Sequence, residues 1–241
     1  MAPQPFYEID GVTIYHGDAL SPELLPIWAP HRNLVTDPPY GMGYKSGYRG
    51  KNEKGWRVKG DESTELRDAA IREWLAHDTT PGYRNSAGFV FGTWRVQPPE
   101  GEVNRLVWWK TGTPGMGNLK SPFGHSHEEI HMLGKAWNME EAISPYRFKR
   151  AGSVLAVDGL RGGSHGEENK FRHPTVKPVR LMERLIERMP RGRTIVDPFA
   201  GTGATVVAAR NLGQKVIAIE LEERYCEVIA KRLGQQVMQF G

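Results

Sequence analysis

The stretch 194-TIVDPFAGTGAT-205 decides the fold. Residues 194–196 are short, β-branched and apolar, which reads as a buried strand, and the run ends on Asp197. Gly201 and Gly203 then let the backbone turn tightly and come close to a ligand. A helix over 202–212 points its free N–H groups at the same place, and Gly213 ends it. A second strand follows at 215–219, closed by Glu220, where an acid can take both hydroxyls of a ribose. Strand, glycine turn, helix, strand and acid make the nucleotide-binding half of an α/β sheet.

Which nucleotide is a narrower question. A dinucleotide fingerprint needs Gly or Ala at position 206, and Val206 stands there. A P-loop needs GK[ST] after the turn, which is absent. Asp197 repels a pyrophosphate and favours a cation, such as the sulfonium or ammonium of S-adenosylmethionine. An ordinary nucleotide turn of open specificity is the alternative.

A second stretch, 33-NLVTDPPYGMGY-44, also ends a strand on an acid. In 37-DPPY-40 the prolines Pro38 and Pro39 fix φ and have no N–H. The carbonyls of Asp37 and Pro38 are thereby left to accept hydrogen bonds from a ligand. A carboxylate and a nearby carbonyl together accept both protons of an exocyclic amino group and bring its lone pair toward an incoming methyl. Tyr40 offers a flat face for a base. A Pro-rich strand-to-loop turn is the bland alternative.

Around these stretches, strands are expected at 12–16, 33–36, 87–92, 105–109 and 129–133, and helices at 64–76, 179–189 and 222–233. Residues 134–172 read as irregular. Alternating strands and helices imply α/β architecture: a doubly wound, Rossmann-like, mostly parallel sheet in a single domain over 1–241. Asp18, Asp37, Asp197 and Glu220 all fall at strand ends, on the rim where such sheets bind ligands. The 241 residues are 39% hydrophobic with a net charge of +4, which suits one sizeable domain and permits a nucleic-acid partner. The positive charge is concentrated in 41–60, where Lys45, Arg49, Lys51, Lys54, Arg57 and Lys59 face only Glu53. With Tyr44, Tyr48 and Trp56 between the charges, this is expected to be a mobile loop that pairs with phosphates and stacks on bases. Cys226 is the single cysteine, which rules out an internal disulfide and suits a buried thiol in a reducing, cytoplasmic setting. No apolar run is long enough to span a membrane.

The order 37-DPPY-40, 127-HEEIHMLGK-135, 173-HPTVKP-178, 197-DPFAGTGAT-205 resembles the amino-methyltransferases of DNA in their beta arrangement, where the DPPY block precedes the cofactor turn. The resemblance is strongest over 171–234. It implies a class I methyltransferase fold with circularly permuted motifs, S-adenosylmethionine as cofactor and duplex DNA as partner. It implies that Asp37, Pro38, Pro39 and Tyr40 bind and activate the target amino group. It places Asp197, Phe199, Gly201 and Gly203 around the donor, Glu220 on its ribose, Asp18 by its adenine, and Thr175 and Lys177 near its carboxylate. Lys45, Arg49, Lys51, Lys54 and Lys59 are the expected DNA contacts, and 134–172 is the interval for target recognition. Asp at the first position points to adenine N6, whereas cytosine-N4 members more often carry Ser. The family also admits a cognate restriction endonuclease and a homodimer.

Other readings compete. His125, His127, Glu129 and His131 share a strand-like stretch, which makes a metal site conceivable. Enzymes that methylate RNA or a protein amide often carry NPPY and place the cofactor turn first, the reverse of the order here. Trp94, Trp108 and Trp109 are expected in the core rather than in the site.

Overall fold

Strands buried on both faces read as continuous apolar runs, and the chain supplies several. In a computed structural model, which describes residues 3–43, 59–111, 120, 122–144, 150–158 and 176–237, these runs form one nine-stranded sheet among the described residues. The strands are β1 (Tyr7–Ile9), β2 (Val12–His16), β3 (Asn33–Thr36), β4 (Ala87–Gly92), β5 (Glu102–Thr111), β6 (His127–Leu133), β7 (Val154–Asp158), β8 (Ile195–Asp197) and β9 (Val216–Glu220). Their spatial order is β1-β2-β9-β8-β3-β4-β6-β5-β7. Pairing is parallel from β2 through β4 and again between β5 and β7; β1, and β6 against both its neighbours, are antiparallel. The doubly wound, mostly parallel sheet expected from the sequence is present.

The helices are α1 (Leu25–Trp28), α2 (Glu65–Ala76), α3 (Val179–Ile186), α4 (Ala204–Asn211) and α5 (Glu223–Val237). Side chains alternate along each strand and so divide between two cores. Val35, Phe89, Phe91, Ile195 and Ala218 pack with Leu181 of α3, Val206 of α4 and Ile229 of α5. Their neighbours Leu34, Val90, Val196 and Ile219 pack on the other face with Trp28, Ile71 and Trp74 of α1 and α2. Among the described residues no helix is long and apolar enough to cross a membrane.

Three elements depart from the sequence reading. β1 and α1 are too short to carry a periodic signal. Part of 134–172, read as irregular, contributes β7, which pairs with β5 at the sheet edge; its exposed outer positions mask the strand pattern. The expected 41–60 loop, apart from its ends, and most of the rest of 145–175 lie outside the described residues.

The topology positions the site. β3 and β8 are adjacent and parallel. From β8 the chain continues to β9 on one side, and from β3 to β4 on the other. This reversal opens a crevice at the carboxyl ends of the strands. Because β6 runs antiparallel to β4, its first residues reach the same rim.

Trp74 anchors α2 to that frame. Its ring is fully buried, its Nε1 donates to the His31 carbonyl at 2.7 Å, and a Cβ on Gly88 would sit 2.9 Å from the ring. Trp74→Ala should cost about 3–5 kcal/mol, read as a lower urea midpoint at unchanged slope.

Candidate active site

The rim cleft encloses about 380 Å³, within the range that holds a cofactor-sized ligand. Asp18, Asp37, Asp197 and Glu220, the four strand-end acids, all line it. So do Pro38, Pro39, Tyr40, Lys59, Lys177, Phe199 and Gly201. Thr175, Lys45, Arg49, Lys51 and Lys54 lie outside the described residues.

One half of the cleft is built on the glycine turn. Gly203 has φ +80°, and a Cβ there would lie 2.7 Å from Ile229 Cγ1. Only glycine therefore lets α4 start so close to α5. Phe199 N–H and Thr36 Oγ1 both donate to Asp197 Oδ1, at 3.1 and 2.7 Å. Gly201 N–H donates to Glu220 Oε2 and Glu222 N–H to Glu220 Oε1, each at 2.8 Å. Burial nevertheless dominates, lifting Asp197 to about 6 and Glu220 to about 7, with the charges of Asp37 and Asp197 respectively adding to the rise. Two desolvated carboxyls that face no cation among the described residues favour a cationic ligand that brings its own hydroxyls. Cys226 is fully buried behind this turn, and burial pushes its thiol up to about 12.

The other half is a compact charge cluster around Asp37. Tyr40 Oη donates to Asp37 Oδ1 at 2.6 Å, and Lys177 Nζ donates to Asp37 Oδ2 at 2.5 Å. Lys177 is buried and also lies 3.3 Å from Glu128 Oε2. Lys110 Nζ holds Glu128 Oε1 at 2.5 Å. Burial raises Asp37, and Lys177 only partly offsets it. Burial works against the charge of Lys177, but Asp37 and Glu128 outweigh it and keep the ammonium protonated. The resemblance puts Lys177 near the donor's carboxylate; in the structure its ammonium lies on Asp37 and Glu128, because a desolvated carboxylate needs a counter-charge.

Sequence reasoning missed Glu128, Lys110 and Trp94. Glu128 falls within the 127-HEEIHMLGK-135 block, but it and Lys110 reach the rim through the β5–β6 register, which pairs Trp108 with Glu128, and the block alone does not show that direction. Trp94 and Trp109 are corrections. Trp94 stands just beyond β4, is 59% exposed, lines the cleft and lies under Arg95, which contacts His125 at 2.7 Å. Trp109 points outward because it alternates with the buried Trp108. Among the described residues no group of three or more His, Cys, Asp and Glu is placed to hold a metal.

The profile of the family described as DNA methylase matches residues 32–232. The chain belongs to this family. Among relatives of this methylase, the type II methyltransferase M2.DpnII of Streptococcus pneumoniae is 28% identical, with 95% of this chain and 92% of that one covered. Two solved structures share the fold of the methylase. The PvuII cytosine-N4-specific DNA methyltransferase superposes with a TM-score of 0.65 at 17% identity, over 95% of this chain and 88% of that one. The complex of M1.HpyAVI with SAM gives 0.59 at 20% identity, over 92% and 99%.

The raised carboxyls give a pH prediction. Glu220 titrates near 4.5 unfolded and about 7 folded, so its stability contribution is complete below about pH 4 and is lost as pH rises through 7. Glu220→Gln removes that loss. The variant should gain on the wild type by about 2–3 kcal/mol between pH 5 and pH 8, measured by urea unfolding across that window.

Proposed function

We propose that this methylase transfers a methyl group from S-adenosylmethionine to the N6 amino group of an adenine turned out of duplex DNA. The observation that carries the reading is the junction of two half-sites: an acid-lined glycine turn and a carboxylate followed by two prolines and an aromatic ring, joined through Thr36 and Asp197. The donor fits the first half by chemistry. Glu220 accepts from its ribose hydroxyls, Gly201 at the cleft wall lets it approach the backbone, Gly203 lets the turn close against Ile229, and the acids suit its cationic sulfonium. When bound, it supplies an electrophilic methyl on a positively charged sulfur.

The chain's own residues do the rest. An amino group inside a base pair is out of reach, so the adenine leaves the stack. Tyr40 stacks on the flipped base, and exposed Trp94 at the mouth offers a second aromatic face. The Asp37 carboxylate and the Pro38 carbonyl accept the two amino protons. This pulls the nitrogen lone pair out of conjugation and aims it at the methyl. As the N–C bond forms, the S–C bond breaks and its electrons stay on sulfur as a thioether. The amino nitrogen then sheds one proton to Asp37, which burial has made a better base than an exposed carboxylate.

Aspartate at position 37 supports adenine N6. Cytosine N4 is the second reading, supported by the fold shared with the PvuII enzyme, since both bases present an exocyclic amino group to the same acceptors. The type II name of M2.DpnII supports a restriction-modification setting. Lys59 lines the cleft, and the phosphate contacts are assigned to it together with Lys51 and Lys54 of the same basic stretch.

Labelled methyl from S-adenosylmethionine should appear in unmethylated genomic DNA as N6-methyladenine on nucleoside mass analysis; N4-methylcytosine would move the assignment to the second reading. Asp37→Asn should slow single-turnover transfer by about a hundredfold or more while donor affinity stays within a few-fold. Replacing Lys51, Lys54 and Lys59 with Gln should weaken DNA binding and flatten the salt slope by about three, and an unaltered slope would remove these lysines from the interface.

A further inference from the structure

Among the described residues, both side-chain partners of Asp37 have a second partner, and it is the same one. Tyr40 Oη, 2.6 Å from Asp37 Oδ1, is 3.3 Å from Glu128 Oε2. Lys177 Nζ, 2.5 Å from Asp37 Oδ2, is 3.3 Å from that same Glu128 oxygen. The other oxygen of Glu128 is tied to Lys110 at 2.5 Å. Glu128 itself lines the cleft.

We propose that Glu128 is a positioning residue for methyl transfer: by sharing Tyr40 and Lys177 with Asp37, it keeps the Asp37 carboxylate aimed at the amino group and strong as an acceptor. The inference rests on the reading of Asp37 as the amino-group acceptor.

The physical case is one of competition. An ammonium belonging to one carboxylate alone draws its charge inward and weakens it as an acceptor for anything else. Here the Lys177 charge is divided between two carboxylates. Lys110 balances the second, so the cluster holds two cations and two anions and its burial is tolerable. Tyr40 is fixed in the same way: its one proton lies between Asp37 and Glu128, which sets the ring plane on which a base would stack. Among the described residues the groups facing Asp37 are Lys177 ahead of α3, Glu128 on β6 with Lys110 of β5 behind it, Tyr40 on its own loop, and Asp197 on β8. Of these, Glu128 is the one that opposes Lys177 directly; its charge pushes Asp37 up, while Lys177 holds Glu128 itself below the usual carboxylate range against its burial.

If Glu128 merely pinned β5 to β6 through Lys110, its loss would weaken the fold and leave Asp37 unaltered. In the positioning role, Glu128→Gln hands Lys177 to Asp37 alone. The test is a ¹³C NMR titration of aspartate carboxyls in the full chain, with the Asp37 resonance assigned by its loss in Asp37→Asn. The Asp37 midpoint should fall in Glu128→Gln. Single-turnover transfer to DNA should drop tenfold or more at neutral pH, its acidic limb should move to lower pH, and affinity for S-adenosylmethionine should hold. Glu128→Asp should recover part of the rate. An unmoved Asp37 midpoint overturns the inference, whether or not the wild type methylates DNA. A moved midpoint in a chain that never labels DNA supports the inference about Asp37 and strikes the proposed function alone. Should Glu128→Gln fail to fold, Lys110→Met probes the same link: it frees Glu128 to take more of Lys177 and should raise the Asp37 midpoint, and no rise overturns the proposal.

Discussion

One hydrogen bond, from Thr36 Oγ1 to Asp197 Oδ1 at 2.7 Å, joins the two halves of the site. It is possible because β3 and β8 are paired in register, Leu34 beside Val196, so that their carboxyl ends emerge together. Both groups are buried, which makes the bond strong and its loss costly. The glycine turn hangs from one end of it and the DPPY loop from the other. On the proposed function, the relative position of a methyl donor and a methyl acceptor is therefore set by a strand pair in the middle of the sheet rather than by surface loops. Transfer chemistry depends on sub-ångström placement, and a packed strand pair supplies it.

The two halves handle charge in opposite ways. Around Asp37 the acids are neutralised within the chain by Lys177 and Lys110. Around the glycine turn no described residue does so, and burial leaves Asp197 and Glu220 with raised pKa values. The first arrangement suits a neutral substrate group, which needs acceptors without an uncompensated field. The second suits a cation, whose arrival would relieve the desolvated acids. The cleft is thus sorted electrostatically before any ligand enters it.

Much of this was legible in the sequence because the residues that do it are local and constrained. Pro38 and Pro39 have one φ and no N–H, and Gly203 occupies a left-handed conformation against Ile229, so each announces its geometry in a short string. The strand-end acids could be read because a parallel sheet puts all strand ends on one rim. What was hidden depends on pairing. Glu128 and Lys110 enter the site only because β6 runs antiparallel and aligns with β5, and neither residue type nor spacing reveals that register. Lys177 was found by motif, but its partners are 140 and 49 residues away. Trp94 was read as core because tryptophan usually is; the end of β4 leaves it on the rim.

The span of the chain between these groups has a consequence for how the protein is made. Asp37, Glu128, Lys177 and Asp197 come from four well-separated parts of the sequence, and β3 finds β8 only across a separation of 161 residues at the Thr36–Asp197 bond. Closing loops of that length is slow, and no short fragment rewards it. The first DPPY-bearing strand must wait, one edge unpaired, for a partner synthesised much later. A half-made or locally opened chain carries Asp37 without its counter-charge and the rim without its glycine turn, so on the proposed function it has nothing with which to transfer a methyl group. Modification of DNA by this fold is in effect a report that assembly has finished.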